Sequence, residues 1–362
     1  MKLTLLGAPE RVMQTPAGMR NYFAWPTVAR LRDGRIAVGA SGFRKRHVCP
    51  YGKAVVSYSN DEGHSYTPPI PVIDTVLDDR DCGIAPFGEN GMIVTSFNNT
   101  VEFQRHHTTD AADLSHLDKI DPSDEARDLG VTFRFSTDGG AHFGPLYKSP
   151  VGSPHGPVEL SDGTILWLGR TFSKSNTQMA DDCLKAYILH LDGSCEYRGE
   201  IENVDRNGIR PLSCEPHVIQ LANGDLLAHI RVQDYKSGLY TTYQSRALDF
   251  GKTWSSPAQI LSDCGGAPAH LIRHSSGILF SVYGYRGSPL ATPPFGIRVL
   301  FSTDDGNTWA SGGEIYSNTI SHDLGYPSTV ELSDGTLLTV FYAIHEANTP
   351  ATILQQKWRF EL

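Results

Sequence analysis

The stretch Ser302-Thr-Asp304-Asp-Gly306-Asn-Thr-Trp309 decides the fold of this chain, because its spacing occurs three more times. In this motif, here called an Asp box, the carboxylate can accept backbone N–H groups across a turn, glycine can adopt positive φ, and the aromatic ring can pack into an adjoining sheet. The other copies are Ser59-Asn-Asp61-Glu-Gly63 with Tyr66, Ser136-Thr-Asp138-Gly-Gly140 with Phe143, and Ala247, Asp249, Gly251 and Trp254. Four ordered copies predict a repeat architecture.

A second periodicity agrees with the first. Six apolar runs turn at a short polar residue followed by glycine and then resume, a pattern typical of β-hairpins. The six turns are Asp33-Gly34, Asn90-Gly91, Asp162-Gly163, Asn223-Gly224, Ser276-Gly277 and Asp334-Gly335. Successive glycines are separated by 57, 72, 61, 53 and 58 positions, which is room for one four-stranded propeller blade each. We therefore predict an all-β, six-bladed β-propeller with antiparallel blades and Asp-box hairpins, in a single domain over residues 1–362.

The ends and the long interruptions of the repeats lead to three further expectations. The sixth repeat is short of a strand, so Lys2–Leu6 is expected to pair beside Ile353–Phe360 and close the ring. The polar segments Asn98–Glu125 and Ser173–Asp182 are expected to form irregular loops over one face. A helical turn is expected within Thr109–Ala126.

Bulk properties limit the partners and the location of the protein. The net charge of -9 argues against a nucleic-acid partner. No stretch approaches the roughly 20 apolar residues of a membrane span, and Met1–Val12 lacks the apolar core of a signal peptide, so a cytoplasmic protein without a membrane partner is expected. The six cysteines contain no C-x-x-C pair; reduced thiols are expected and disulfides stay open. We expect no cofactor and no metal.

Ionisable residues precede every inner strand of the predicted propeller. Loops that lead into these strands meet around one mouth of the central channel, so their side chains should line a common pocket. The six loops are Arg20–Pro26, Asp78–Cys82, Ser153–Pro157, Ser213–His217, Gly265–His270 and His322–Pro327. Each loop carries at least one ionisable residue, which predicts a pocket equipped for acid and base chemistry.

With the Asp boxes and six repeats, the segments around Cys214-Glu215-Pro-His217 and Gly325-Tyr326-Pro resemble the sialidase (neuraminidase) superfamily of BNR-repeat proteins. The resemblance extends over essentially the whole chain. It implies that Glu215 activates Tyr326 as a nucleophile, an exception to the usual two-carboxylate scheme of glycosidases. It also implies that Arg231 is one of three arginines that bind a sugar carboxylate, and that Arg44 is a pocket arginine.

The chain departs from the family pattern at three places. Ala24 stands at the first arginine of the triad, Cys49-Pro50-Tyr51 occupies the stretch expected to hold the acid/base aspartate, and the third arginine has no aligned counterpart. The predicted anion clamp is therefore built from Arg80, Arg231 and Arg286. The predicted acid/base is Asp81, His47 or His155.

These residues favour a glycoside hydrolase that removes a terminal, acidic sugar from a carbohydrate substrate. The predicted catalytic residues are Tyr326, Glu215, Asp81 and His155. The predicted substrate-binding residues are Arg231, Arg286, Arg80, Arg44, His47, Tyr22, Trp25, His270 and His322. Two alternatives stay open, a non-catalytic carbohydrate-binding propeller and a polysaccharide lyase on the same fold. Purely structural roles also stay open for three of these residues. They are a hydrogen bond from a neighbouring backbone N–H to Glu215, a channel-lining position for the Tyr326 ring, and an ordinary ion pair for Arg80.

Overall fold

Six antiparallel sheets surround one axis, which confirms the predicted six-bladed β-propeller. The structure is a computed structural model that describes residues 2–15, 20–172, 183–206, 208–234, 237–261, 268–286, 294–317 and 319–361. The predicted loop over residues 173–182 and the thiol of Cys264 lie outside the described residues.

The strands follow the blades in chain order, each from the axis outward. Blade one contains β2 (Tyr22–Arg30), β3 (Ile36–Arg44), β4 (Lys53–Ser59) and β5 (Ile70–Ile73). Blade two contains β6 (Arg80–Phe87), β7 (Gly91–Phe97), β8 (Val131–Ser136) and β9 (Tyr147–Ser149). Blade three contains β10 (Val151–Gly152), β11 (Val158–Glu159), β12 (Ile165–Thr171), β13 (Leu184–Leu189) and β14 (Cys195–Ile201).

The second half of the chain repeats this arrangement. Blade four contains β15 (Leu212–Gln220), β16 (Leu226–Asp234), β17 (Leu239–Ala247) and β18 (Ala258–Gln259). Blade five contains β19 (Ala269–Arg273), β20 (Leu279–Tyr285), β21 (Gly296–Ser302) and β22 (Ala310–Tyr316). Blade six contains β23 (Gly325–Glu331), β24 (Leu337–Ala343), β25 (Thr352–Glu361) and β1 (Lys2–Arg11).

The two ends of the chain close the ring, as the sequence predicts. Strand β1 pairs antiparallel with β25, with Leu5 opposite Trp358. Trp358 is fully buried and donates its indole N–H to Thr339 at 2.9 Å. Closure by the two terminal strands leaves blade six with the same four-stranded sheet as its neighbours.

The Asp boxes form the predicted staples between outer strands. In blade five, Asp304 accepts the backbone N–H of Thr308 at 2.9 Å, and the Ser302 hydroxyl accepts that of Gly306 at 2.9 Å. Gly306 has φ of 80°, a conformation that a side chain makes costly. Trp309 donates its indole N–H to Gln244 of blade four at 2.8 Å. The Asp boxes therefore hold outer hairpins and lie away from the axis.

Five of the six predicted inner turns have glycine at positive φ where expected, and blade two differs. There Gly88 takes the positive φ of 54°, and Gly91 is the first residue of β7. The turn of blade two is therefore longer than the Asn90-Gly91 dipeptide suggests.

The interruption between β7 and β8 is helical, which corrects the expectation of an irregular loop. It contains α1 (Val101–His106), α2 (Ala111–Leu117) and α3 (Pro122–Asp128). Thr100, Asp110 and Asp121 cap the three helices with their side chains. The expected helical turn within residues 109–126 is present as α2 and α3. None of the helices in the described residues has the length and apolarity needed to cross a membrane.

Candidate active site

A cavity of about 530 Å³ opens on the propeller axis. Its lining includes residues from the inner strands of blades one, two, four and six, with additional side chains from blades three and five and from the helical insert. The ionisable residues in this lining are His47, Arg80, Asp81, Arg170, Cys214, Glu215, Arg231, Tyr240, Arg286 and Tyr326. A second cavity, of about 560 Å³, lies between the outer strands of blades five and six and contains none of the residues predicted for the axial mouth. The axial cavity is therefore the candidate site.

Four blades direct a side chain into this cavity by the same backbone device. Trp25, Asp81, Glu215 and Tyr326 all have positive φ, between 47° and 53°. At each of them the inner strand has two residues opposite one on the next strand, which is a β-bulge. Positive φ costs a non-glycine residue about 1–3 kcal/mol, and such strain concentrates at functional sites.

Glu215 and Tyr326 meet as predicted, although blade five separates their two blades in the ring. The Tyr326 hydroxyl donates to Glu215 Oε1 at 2.6 Å. Arg231 Nη1 donates to Glu215 Oε2 at 2.5 Å, and its Nη2 donates to Gln233 at 2.5 Å. Burial and then the carboxylate of Glu215 raise the pKa of Tyr326 well above its ordinary value. The phenol is therefore neutral, and its proton is already directed at a carboxylate that can accept it.

Asp81 provides a second carboxyl group of different character. It is 8% exposed and lines the cavity, and among the described residues no hydrogen bond or salt bridge holds its carboxyl group. Burial raises its pKa to about 7, with Glu215 adding to the rise and Arg80 opposing it. A carboxylic acid with this pKa can give or take a proton near neutral pH.

Within the part of the chain that the structure describes, four arginines line the cavity. Arg80 lies with its guanidinium carbon 4.1 Å from the Trp25 ring centroid and donates to the His47 carbonyl at 2.7 Å. Arg286 donates to the Leu324 carbonyl at 3.1 Å and lies near enough to Arg231 to be repelled by it. The positive charges of the cluster therefore favour an anionic ligand.

The fourth, Arg170 on β12 of blade three, is missing from the sequence prediction. A signal was present, because Arg170 follows the turn residue Gly163 by seven positions and Arg231 follows Gly224 by the same seven. The two arginines therefore occupy the same place in adjacent blades. Sequence reasoning also missed the cavity-lining residues Phe97, Phe103, Phe172, Gln233 and Tyr240.

Arg44 and Tyr22 lie outside the cavity lining, which corrects their predicted role in substrate binding. Arg44 is fully buried and pairs with Asp78, with Nη1 2.6 Å from Oδ1. The Tyr22 hydroxyl donates to Asp323 at 2.6 Å. These groups support the cavity from behind. His47 does line the cavity, with its Nδ1 3.1 Å from an Asp323 oxygen.

His155 and His270 also lie outside the cavity lining, in an axial cluster with His217. The rings of His217 and His270 stack at 4.1 Å, and His155 meets the His270 ring edge-on at 5.1 Å. Burial lowers the pKa of His155 to about 3, so it is neutral and cannot supply a proton to a leaving group. No set of three His, Cys, Asp or Glu side chains within the described ranges has the geometry to hold a metal ion.

His322 is the last of the predicted ligands that misses the cavity. It is exposed, and its ring lies 4.7 Å from that of Phe295. The five cysteines for which the structure describes a position, Cys49, Cys82, Cys183, Cys195 and Cys214, are free thiols. Among these, Cys214 lines the cavity, where burial raises the pKa of its thiol to about 12 and keeps it protonated.

Comparison with solved structures identifies the same fold in proteins of very different sequence. A protein of unknown function from Dyadobacter fermentans shares 19% identity with a TM-score of 0.77, over 99% of both chains. The NanB sialidase of Streptococcus pneumoniae shares 12% identity with a TM-score of 0.67, over 97% of this chain and 70% of its own. The GH93 α-L-arabinofuranosidase of Fusarium graminearum shares 10% identity with a TM-score of 0.62, over 97% of both chains.

The sequence comparisons give no closer assignment, since no family model and no curated protein matches. At these levels of identity the structural likeness establishes the propeller fold and nothing finer.

Proposed function

We propose that this chain is a glycoside hydrolase that removes a terminal acidic sugar, with Tyr326 as the nucleophile. The observation that carries the proposal is the 2.6 Å hydrogen bond from the Tyr326 hydroxyl to Glu215, inside a cavity lined by four arginines. Two of the solved neighbours are named as a sialidase and an arabinofuranosidase, which supports a carbohydrate substrate.

The first step forms a covalent link to tyrosine. The Tyr326 oxygen attacks the anomeric carbon while its proton passes to Glu215, and the glycosidic C–O bond breaks. Asp81 gives its proton to the departing oxygen, a role that fits its pKa of about 7 and its unpaired carboxyl group facing the cavity. A neutral nucleophile suits an anionic substrate, because it avoids the repulsion that a carboxylate nucleophile would create.

The second step releases the sugar. Water attacks the anomeric carbon and gives its proton to Asp81, which has become the base. The Tyr326 oxygen leaves and regains its proton from Glu215. Both residues return to their starting states, and the anomeric configuration is retained after two displacements.

The charge of the cavity supports an acidic substrate. Arg80, Arg170, Arg231 and Arg286 face two carboxyl groups, Glu215 and Asp81. Arg231 is already paired with Glu215, Arg80 Nη1 lies 3.6 Å from the Asp78 carboxylate behind the cavity, and Asp81 is partly protonated at neutral pH. The remaining positive charge is suited to a substrate carboxylate, which accepts paired N–H bonds from arginine.

The arrangement of the arginines differs from the triad that the sequence resemblance implies. Ala24 is fully buried and supplies no charge, and Arg80 stacked on Trp25 takes the cationic position nearest to blade one. Arg170 adds a cation from blade three. A uronic acid or another acidic sugar is therefore as suitable a candidate as a sialic acid, and the substrate must be found by a comparative test.

The test is a panel of aryl glycosides of sialic, uronic and neutral sugars, assayed with wild type, Tyr326→Phe and Glu215→Gln. We expect turnover of one acidic glycoside, reduced at least about a thousand-fold by either substitution, since both groups serve the same step. A fluorinated form of that glycoside should add its sugar mass to the peptide that contains Tyr326.

Matched controls separate chemistry from folding. Tyr197→Phe removes an exposed hydroxyl that bonds Glu200, and Glu314→Gln removes a carboxylate paired with Arg298 at the surface. Both should retain wild-type turnover. Saturable binding of an acidic sugar with no turnover anywhere in the panel would overturn the hydrolase and leave a carbohydrate-binding propeller.

A further inference from the structure

The axial cavity has two chemically different halves. Blades four to six contribute the Tyr326–Glu215 pair with Arg231 and Arg286. The opposite side combines Arg80, Asp81 and Arg170 with a group of apolar side chains, here called the apolar wall. The apolar wall consists of Phe97, Phe103, Val131 and Phe172.

The apolar wall comes from blade two, its helical insert and the adjoining edge of blade three. Phe97 ends β7 and Val131 begins β8, while Phe103 lies on α1. Phe172 directly follows β12 and packs with Phe97 against the core of blades two and three. All three phenylalanine rings keep part of their surface exposed, so the wall offers apolar area that a ligand can cover.

The helical insert holds Phe103 in a fixed position. The Gln104 side chain is buried and donates to the Asn99 carbonyl at 2.9 Å. The backbone N–H of Val101 donates to Glu125 of α3 at 2.8 Å. The first bond ties α1 to the segment that precedes it, and the second joins α1 to α3.

The insert is also tied to blade one through a buried acid on α2. Asp113 is fully buried and accepts from Lys45 at 2.7 Å, and it pairs with Arg46 as well. Tyr51 donates to the Ala112 carbonyl at 3.3 Å. Because two blades anchor the insert, Phe103 is part of a permanent wall of the cavity.

The position of Asp81 tells which part of a substrate meets this wall. Asp81 lies on β6 of blade two, and its neighbour Arg80 pairs directly with Phe97 across the sheet. A proton donor must touch the oxygen of the leaving group. The leaving group therefore departs on the side of blade two, where the apolar wall stands, while the acidic sugar faces Arg231, Arg286 and Tyr326.

We propose that the apolar wall is the binding subsite for the leaving group and takes a flat apolar face. This inference rests on the proposed hydrolase. Such a face is offered by an aryl group and by the C–H side of a second sugar ring, which share the same stacking chemistry. The wall thus selects the group to which the acidic sugar is attached.

The test compares three glycosides of the same acidic sugar, carrying a methyl, an aryl or a second sugar as the leaving group, with wild type, Phe103→Ala and Phe97→Ala. We expect either substitution to lower kcat/KM about tenfold for a leaving group that covers the wall, and less than twofold for the methyl glycoside. Phe103→Leu should restore part of the loss, since it keeps an apolar contact.

Leu114→Ala on α2 is the matched control, because Leu114 belongs to the same insert but is absent from the cavity lining. It should leave all three rates unchanged. A loss confined to the aryl glycoside assigns the wall to aromatic aglycones, and a loss for the disaccharide assigns it to a sugar face. Equal losses for all three glycosides, or no loss for any of them, would overturn the inference.

Equilibrium binding keeps this inference separate from the hydrolase proposal. If wild type turns over none of the glycosides, the hydrolase fails, and dissociation constants from calorimetry then decide about the wall. Aryl or disaccharide ligands should bind about tenfold more tightly than the methyl glycoside, and Phe103→Ala should abolish that difference. An unchanged preference in Phe103→Ala would reject the wall by itself.

Discussion

Two clusters of buried ionisable groups lie on the axis of this propeller, and they differ in whether groups of opposite charge accompany them. At the cavity, Glu215 and Tyr326 lie among arginines that compensate a carboxylate. Two residues further along β15, His217 stacks with His270, and His155 meets both rings edge-on. No acid accompanies the three imidazoles in the contacts described. Burial without a counter-charge keeps the histidines neutral, whereas the compensated cavity retains charged groups that can act on a substrate. Proximity to the axis alone therefore does not make a catalytic group.

The largest expected effect is a loss of protein stability in acid, caused by the histidine cluster. Burial lowers the pKa of His155 to about 3, and those of His217 and His270 lie well below the ordinary value of 6.5. The unfolded chain binds protons at these groups below pH 6.5 and the folded chain does not. Stability is therefore retained above pH 6.5 and lost as the pH falls toward 3, by about 1.4 kcal/mol per histidine and pH unit.

Comparison with a variant isolates this contribution. His155→Phe removes one titrating group, so urea unfolding should show its stability improving relative to wild type by about 1.4 kcal/mol for each pH unit below 6.5. His64→Gln changes an exposed histidine on an Asp box and should show no such trend. A constant difference between wild type and His155→Phe from pH 7 to pH 4 would contradict the neutral cluster.

The second effect concerns the charged layer behind the cavity. Arg44→Met leaves Asp78 buried without its main partner, and loss of one member of a buried pair typically costs about 3–5 kcal/mol. Arg298→Met breaks the exposed pair with Glu314 and should cost less than about 1 kcal/mol. The free energy of unfolding in urea measures both. A small decrease in the free energy of unfolding of Arg44→Met would show that the Arg44–Asp78 pair contributes little to stability.

The third effect concerns the pH dependence of catalysis. Burial raises the pKa of Asp81 to about 7, so the proton needed by the leaving group is present below pH 7 and is lost as the pH rises through 7. The kcat/KM of wild type should therefore fall as the pH rises above 7. Asp81→Asn should lower it about 100-fold for a disaccharide and far less for an activated aryl glycoside. Asp225→Asn, on an inner turn, is the control and should keep the wild-type profile. If kcat/KM of Asp81→Asn decreases above pH 7 as it does in wild type, Asp81 is not the acid.

The smallest effect concerns the arginine that only the structure identified. Arg170→Met should raise KM for the acidic glycoside about tenfold and leave kcat and any neutral glycoside nearly unchanged, because the side chain would meet the anion in both the ground and transition states. Arg170→Lys should lie between. Equal effects on acidic and neutral glycosides would remove Arg170 from the anion site.

The sequence predicted the parts of the site that lie next to recognisable motifs. Glu215 and Tyr326 each precede a proline and stand nine residues before a turn glycine, and Trp25 shares this register. The same register carries the positive-φ bulge that directs each side chain inward. The repeat thus predicted the positions of both residues, although the 2.6 Å contact joins residues 111 positions apart in the chain.

Other residues could not be assigned without the tertiary structure. The sequence places Arg44 and His155 beside the mouth, yet the packing turns Arg44 toward Asp78 and His155 toward two other histidines. The helices of the insert carry capping residues, but nothing in their sequence tells that Phe103 reaches the cavity. The direction in which a side chain points at the mouth of the propeller depends on β-bulges and on contacts with neighbouring blades. A local sequence pattern does not contain this information.

The sequence by itself determined six blades, five of their six inner turns, the Asp-box staples and the closing strand, because these depend on local spacing and on hairpins between adjacent strands. Only the tertiary structure decided which polar residues face the cavity, which are neutralised in the axis and which wall is apolar. The physical reason is that charge and exposure at the axis are set by contacts between blades that are distant in the chain. Ring closure brings those contacts together, and no single repeat encodes them.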